Sequence, residues 1–429
     1  MSEVTDEVAD EVSDEVPDEV FGDPTTGPAR PSPRGVAIGR LLPTVLVAYA
    51  VCRLVSGVLL AIVATRQVPT GWTGPDVTYL SFTTQWDGQW YQAIAEHGYP
   101  RTLPVNQTGL VQQNPWAFYP LFPFVTRALM DLSGLGFAVV GSTLSLLLGF
   151  VAAAAMALLL KDRIGERWTT ATVVLWASMP AAVVLQVGYT EAAAMALLTL
   201  FLLALDRERW LWAMGLALLL GVTRPIAVPI AAVAVIALWL RWRRRQADPI
   251  PGSEAASGVA LLAGCAVSGL LWPAVAALVT GRADAYTTTM STWRASREIV
   301  PVRPWLDMSR YYWGQTWGPV WLTVIFVVVA VMVLGPWASR LGPQLRMWSL
   351  AYPAYLLVVL DPFTSIFRYL LPLFPVAAIL IGAAGRPLWR SWARWAWVRF
   401  GVLLVAFVVG QWYWIDILWR FIPPSDYPP

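Results

Sequence analysis

Two carboxylates and two guanidinium groups lie next to the ends of apolar runs in this chain: Asp87, Glu191, Arg224 and Arg368. Ionisable groups at membrane depth are costly, and by default they indicate function. A carboxylate can accept the proton of an incoming hydroxyl group, and the planar guanidinium of arginine can hold a phosphate through two N–H groups. Such a set suits transfer of a sugar from a lipid-linked sugar phosphate, with the base on the face opposite the leaving group.

Three of these residues also have a purely structural interpretation. Asp87 precedes Gly88 and an apolar-periodic stretch, as a helix N-cap would. Glu191 could favour the dipole at the start of a helix, and Arg224, before Pro225, could be a snorkelling arginine. The sequence leaves both interpretations open.

Aromatic side chains surround Asp87 in the segment Gln85–Pro100. Trp86, Tyr91 and Tyr99 are candidates to bind substrate. Tryptophan and tyrosine also form belts at membrane–water interfaces, so this segment could equally be an interfacial belt. The sequence does not separate these two uses.

Composition places the chain among membrane proteins. Hydrophobic residues make up 57% and charged residues only 13%, whereas soluble domains have about 25% charged residues. Several apolar runs reach the roughly 20 residues that cross a bilayer. We therefore predict an all-α polytopic membrane protein.

Several classes of function lack their motifs here. Cys52 and Cys265 lie inside apolar runs without metal-ligand spacing, and His97 is the single histidine, expected to have a structural role. No glycine-rich dinucleotide motif, P-loop or D-x-D motif is present, which argues against a soluble nucleotide-sugar or ATPase domain. We expect no metal, no cofactor and no nucleic-acid partner.

Eleven apolar runs are predicted to span the membrane, and basic residues sort the segments between them. The densest basic cluster is Arg241–Arg245, and the excess of Lys and Arg marks the cytoplasmic face. All basic loops share that face if 118–133 is re-entrant or interfacial; its prolines and aromatic residues also suggest one wall of a lipid entrance. The loop 66–117, with Asp87, then lies outside. The predicted spans are 41–65, 136–160, 169–187, 190–205, 210–223, 226–240, 257–280, 318–336, 344–361, 367–384 and 397–416.

The first forty residues differ from the rest of the chain. Val4, Val8 and Val12 alternate with pairs of acidic residues. This acidic density favours a disordered tail, which the charge rule places in the cytoplasm. We predict two parts: a tail, 1–40, and a membrane domain, 41–429.

Four motifs, in order, resemble the PIG-V family, the GPI mannosyltransferases II. The outer-loop string around Trp86-Asp87 and Gly98-Tyr99, followed by Ala117–Pro123, is similar to the first luminal loop of that family. Three shorter matches follow: Gly188–Glu191, Thr223-Arg224 and Phe367–Pro375.

The resemblance implies a GT-C fold with a catalytic first outer loop, and a glycosyltransferase that uses a polyprenyl-phosphate sugar, usually mannose. It implies that Asp87 is the catalytic aspartate. Arg224 and Arg368 would then hold the donor phosphate, and Glu191 would orient one of them or bind sugar hydroxyls. The arginine bias and compact loops suggest a bacterial relative in the plasma membrane, with a lipid or cell-envelope glycan as acceptor; a eukaryotic relative would lie in the endoplasmic reticulum membrane.

Two other functions remain open. A transporter or flippase of lipid-linked sugars would also need charged cavities between spans, although transporters often have inverted repeats and none is evident here. A non-enzymatic scaffold of envelope synthesis would use the acidic tail but would leave the four outer charges unexplained.

Overall fold

The computed structural model describes residues 38–71, 73–294, 298–385 and 395–424. These residues form helices and loops, with two isolated bridges and no strand among them. The all-α prediction is confirmed. Of the predicted disordered tail, 1–40, residues 1–37 lie outside the described residues, and residues 38–40 belong to the first helix.

The described α-helices are numbered in chain order. Their bounds are α1 Ile38–Ala64, α2 Tyr79–Phe82, α3 Asp87–His97, α4 Leu121–Ser133, α5 Phe137–Ile164, α6 Glu166–Ala177, α7 Glu191–Asp206, α8 Trp210–Gly221, α9 Ala227–Arg243, α10 Gly252–Thr280, α11 Ala285–Ser291, α12 Arg303–Trp313, α13 Trp317–Leu334, α14 Gly342–Val359, α15 Ile366–Tyr369, α16 Phe374–Ile381 and α17 Ala396–Trp414.

Five of these helices are long and apolar enough to cross a membrane: α1, α5, α10, α13 and α17 with its π-helical extension to Trp419. Helix α5, for example, has 28 residues and is about 42 Å long at 1.5 Å per residue. This exceeds the roughly 30 Å of a hydrocarbon core. The structure thus has the helices of a membrane protein.

Most of the other predicted spans are shorter or broken helices; α14 is as long as α13, with 18 residues, but is not among the five. The run 169–187 becomes α6 followed by a 3₁₀ turn at Ala182–Gln186, and the run 367–384 becomes α15, a 3₁₀ turn at Leu371–Leu373 and α16. Pro372 and Pro375 lie in this second region, where they remove backbone donors. Broken helices at membrane depth are tolerated where protein covers them. Both breaks lie beside the charged residues predicted to be functional.

Helix α7 forms the centre of the packing. It is buried along nearly its whole length and contacts α5 and α8. Alanines at 192, 193, 194 and 196 leave room for close approach of neighbouring helices, as small residues do in membrane bundles. Helix α8 crosses α10 equally closely, because a Cβ at Gly221 would collide with the backbone of Ser268.

Helix α4 is a half-length element. Its 13 residues reach about 20 Å, too short to cross the hydrocarbon core. It packs on α3 and α5, and it ends at Gly134, whose φ of +71° turns the chain into α5. This agrees with the prediction that 118–133 is not a full span.

Four of the basic segments that the structure describes lie close together. Arg163, in the last turn of α5, donates to the carbonyl of Leu341 and pairs with Asp206 at the end of α7. Arg241 of α9 lies 3.6 Å from Glu208, which is in the loop that follows α7. The loops after α5, α7 and α9 and the start of α14 are therefore neighbours. The opposite end of α7, about 24 Å away by helix length, begins at Glu191.

Candidate active site

The four predicted ionisable residues come together in one group, called the charge cluster here: Asp87, Glu191, Arg224 and Arg368. Arg368 Nη1 lies 2.8 Å from Asp87 Oδ2 and 3.0 Å from Glu191 Oε1. Arg224 Nη1 lies 2.9 Å from the same Glu191 oxygen. The charges form a continuous chain in which each carboxylate alternates with a guanidinium. Residues separated by up to 281 positions thus meet at one point.

Asp87 is the first residue of α3 and does not cap it. The N-cap position belongs to Trp86, whose φ of +58° is uncommon for a residue with a side chain. The Trp86 indole donates to the carbonyl of Trp419 at 2.7 Å, which holds this backbone in place. The N-cap interpretation of Asp87 is wrong, because the carboxylate turns to Arg368 rather than back to the helix.

A buried turn positions Glu191, and hydrogen bonds connect this turn to the segment that carries Asp87. Gly188 N donates to the carbonyl of Thr83 at 3.1 Å, and the Tyr189 hydroxyl accepts a hydrogen bond from Asp87 N at 3.1 Å. Ser145 of α5 donates to the Tyr189 carbonyl. Asp87 and Glu191 are therefore positioned by the same small network.

The two arginines lie over aromatic rings. The Arg224 guanidinium is 5.0 Å from the Tyr369 ring centroid, and that of Arg368 is 5.2 Å from the Tyr189 ring. Such cation–π contacts favour the charged guanidinium away from water. Tyr189 and Tyr369 lie within two of the motifs that carry the family resemblance, but they were not predicted to be site residues.

Exposure decreases toward the middle of the charge cluster. The side chains of Asp87 and Arg224 are 21% and 15% exposed, whereas those of Glu191 and Arg368 are 3% and 6% exposed. Substrate would therefore reach the ends of the chain of charges first.

A small cavity lies on the inner side of the charge cluster. It is lined by Glu191, Arg224, Arg368 and Tyr352, with a volume of about 10 Å³, about enough for one water molecule. Glu191 Oε2 and Arg368 Nε are buried and have no hydrogen-bond partner among the described residues. This side of the cluster is too narrow for a sugar.

The three aromatic residues predicted to bind substrate are mainly engaged with the protein. Trp86 and Tyr91 are buried, and the Tyr99 hydroxyl donates to the carbonyl of Phe118 at 2.9 Å. Tyr91 lies 3.1 Å from the Thr190 hydroxyl, and burial together with the charge of Asp87 raises the pKa of its phenol. Their described hydrogen bonds support α3 and the turn before α7; substrate contact stays a prediction.

An open cleft lies near this region, although none of the four residues of the charge cluster lines it. Its volume is about 840 Å³, and Trp293, Asp307, Asp361 and Ser365 contribute to its walls. The Trp293 ring lies 5.5 Å from Trp90 of α3 and thereby connects the cleft wall to the helix that begins at Asp87. Arg368 N donates to the carbonyl of Ser365. The cleft is large enough for a sugar and was not predicted from the sequence.

Neither a metal site nor a related protein helps to assign the function. Within the described ranges, no group of three or more His, Cys, Asp or Glu residues could hold a metal ion. No protein-family model matches the chain, and no curated protein matches it. The function is therefore inferred from the charge cluster and its surroundings.

Proposed function

We propose that this chain is a multi-pass membrane glycosyltransferase of GT-C type. It would transfer a sugar, expected to be mannose, from a polyprenyl-phosphate donor to a lipid or cell-envelope glycan on the outer face of the membrane. The observation that carries the proposal is the charge cluster, in which four separate segments bring Asp87, Glu191, Arg224 and Arg368 into contact. The eleven-span arrangement is part of the same proposal.

Asp87 is the general base in this mechanism. Arg368 holds Oδ2 at 2.8 Å, and Oδ1 would accept the proton of the acceptor hydroxyl. The hydroxyl oxygen then forms a bond to the anomeric carbon as the bond from that carbon to the phosphate oxygen breaks, and polyprenyl phosphate leaves. Attack from the face opposite the phosphate inverts the anomeric configuration.

The arginines bind the donor phosphate. A guanidinium has five N–H donors, and the described ion pairs of Arg224 and Arg368 with the carboxylates use only Nη1 of each. Arg224 is the more exposed of the two and would meet the phosphate first. Glu191 contacts both guanidinium groups, so we assign it the role of a positioning residue.

The test is a transfer assay with purified protein in lipid nanodiscs. The protein is incubated with radiolabelled polyprenyl-phosphate mannose and a mixed lipid extract, and lipid products are separated and identified. A transferase forms a new glycolipid and releases polyprenyl phosphate. Movement of donor across sealed vesicles without a new product, over a broad panel of acceptors, would instead identify a flippase and refute the proposal.

A further inference from the structure

Beyond α17 the chain continues into residues 415–421, called the C-terminal segment here. It begins as a π-helix, Ile415–Trp419, in which Arg420 N donates to the carbonyl of Ile415 at 2.9 Å. Such a turn contains one residue more than an α-helical turn, so the side chains after it are shifted by about 100° around the helix axis. Isolated π-helical turns are frequent at functional sites.

Two side chains just after α1 fix the position of the C-terminal segment. The Gln67 amide donates to the carbonyl of Phe421 at 3.2 Å, and its oxygen accepts a hydrogen bond from Phe421 N at 2.9 Å. Arg66 Nη1 lies 3.1 Å from Asp416 Oδ1. The end of the chain is therefore bound to the start of the loop that carries Asp87.

Trp419 contacts both ends of the connection between α2 and α3, which immediately precedes Asp87. Its indole Nε1 donates to the carbonyl of Phe82, the last residue of α2, at 2.9 Å. Its own carbonyl accepts a hydrogen bond from the indole of Trp86, the N-cap of α3, at 2.7 Å. Trp419 is fully buried. One residue of the C-terminal segment thus holds this connection at its two ends.

Trp419 is also connected to Asp87 through Tyr189. The ring centroids of Trp419 and Tyr189 lie 5.1 Å apart. The Tyr189 hydroxyl accepts a hydrogen bond from Asp87 N at 3.1 Å and donates to the carbonyl of Gln85 at 3.3 Å. No described hydrogen bond joins Trp419 to the Asp87 carboxylate. Its influence on that carboxylate therefore passes through the backbone around Trp86 and through Tyr189.

We propose that Trp419 is a positioning residue for the Asp87 carboxylate and that the C-terminal segment orders the site. This inference rests on the proposed function, in which Asp87 is the general base. A residue with a side chain keeps a positive φ, as Trp86 does, only where surrounding contacts hold it. A misplacement of about 1 Å in a catalytic site can lower a rate about 10²-fold. The C-terminal segment lies outside the motifs of the family resemblance, the last of which ends at Pro375.

Trp419→Phe tests the proposal, because phenylalanine keeps an aromatic ring but cannot donate to the carbonyl of Phe82. We expect kcat to fall about 10- to 100-fold. The Kd for polyprenyl-phosphate mannose should stay close to wild type, since the phosphate is assigned to Arg224 and Arg368. The matched control is Trp414→Phe, in which the indole that is lost is buried and has no hydrogen-bond partner among the described residues. Equal kcat values in the two variants would contradict the proposal.

A double variant separates positioning from general damage. Residues that act as a unit have non-additive effects on a rate. If Trp419 acts through Asp87, adding Trp419→Phe to Asp87→Asn should leave the residual turnover of Asp87→Asn unchanged. A loss by the same factor in both backgrounds would show general damage and overturn the proposal.

Hydrogen exchange of the full chain in nanodiscs tests the same contacts without sugar transfer. We expect faster exchange in residues 82–90 of Trp419→Phe than in the same residues of Trp414→Phe and wild type. Equal exchange in the two variants would show that Trp419 does not order this connection. If the wild-type protein transfers no sugar at all, the proposed function fails, and the exchange rates still decide whether the C-terminal segment orders the residues around Asp87.

Discussion

Glu191 is the residue on which the order of the charge cluster depends. One of its oxygens contacts both Arg224 and Arg368, and its side chain is 3% exposed. Removing one member of a buried ion pair is costly, because the remaining charge has lost its partner away from water. The two arginines would repel each other without it. This residue therefore links the stability of the site with its chemistry.

Glu191→Gln should destabilise the protein and lower its activity. A loss of roughly 3–5 kcal/mol is typical when one partner of a buried pair is removed. Thermal unfolding in detergent measures the first effect and a transfer assay the second. The control is Glu96→Gln, an exposed glutamate of α3 that accepts a hydrogen bond from Gln92. Wild-type stability and turnover in Glu191→Gln would show that the two arginines do not depend on it.

Arg224→Lys tests whether a planar guanidinium holds the donor phosphate. Lysine keeps the positive charge but cannot form two parallel hydrogen bonds to a phosphate. We expect weaker donor binding, measured as a higher Kd for polyprenyl-phosphate mannose. Arg282→Lys, an exposed arginine paired with Asp284, is the control. Equal donor affinity in Arg224→Lys and wild type would rule out a bidentate contact.

At the scale of elements, the break between α6 and α7 positions Tyr189, Thr190 and Glu191 in the charge cluster and beside it. Arg53, in the middle of α1, donates to the carbonyls of Ala177 and Ala182 on either side of the start of this break. An arginine in the middle of an apolar helix needs a polar partner. The structure shows that its partners are backbone carbonyls at the end of α6 and at the start of the 3₁₀ turn.

Arg53→Met should therefore loosen the segment between α6 and α7. An unpaired buried carbonyl costs about 1–3 kcal/mol, and two would lose their described donor. We expect a lower thermal midpoint and faster hydrogen exchange in residues 178–190. Arg40→Met, an exposed arginine near the start of α1, is the comparison. Unchanged exchange in this segment would mean that Arg53 does not brace it.

Hydrophobic length and periodicity predicted most of the helices, because each apolar run has to form its own backbone hydrogen bonds. They did not predict how the ends of α8 and α15 meet. Arg224 and Arg368 were placed in turns on the same side, yet their shared contact with Glu191 depends on the packing of several helices. The positive φ of Trp86 was also hidden, because its supporting partner, Trp419, is 333 residues away.

At the scale of the whole molecule, the basic loops and the charge cluster lie at opposite ends of α7. This polarity agrees with the predicted orientation, in which the basic end is cytoplasmic. An outer active site requires both that polarity and a lipid-facing route to the cluster. The orientation in the membrane is a prediction that labelling can test.

Single cysteines at Asp76 and Gln246 should react with a membrane-impermeant reagent from opposite sides. Both positions are exposed, and the native Cys52 and Cys265 are buried, so their background should be low. We expect Asp76→Cys to react in intact cells and Gln246→Cys only after the membrane is opened. Reaction of both from one side would overturn the orientation and the proposed outer active site.

The most direct test of the central claim is the turnover of Asp87→Asn. Asparagine still offers an oxygen to Arg368 but cannot take the proton of the acceptor hydroxyl. The account predicts that transfer falls by about 10² to 10⁴, the usual contribution of a general base. Donor binding and the thermal midpoint should stay close to those of the control Asp76→Asn, an exposed aspartate in the same outer loop. Near-normal turnover by Asp87→Asn would contradict the account.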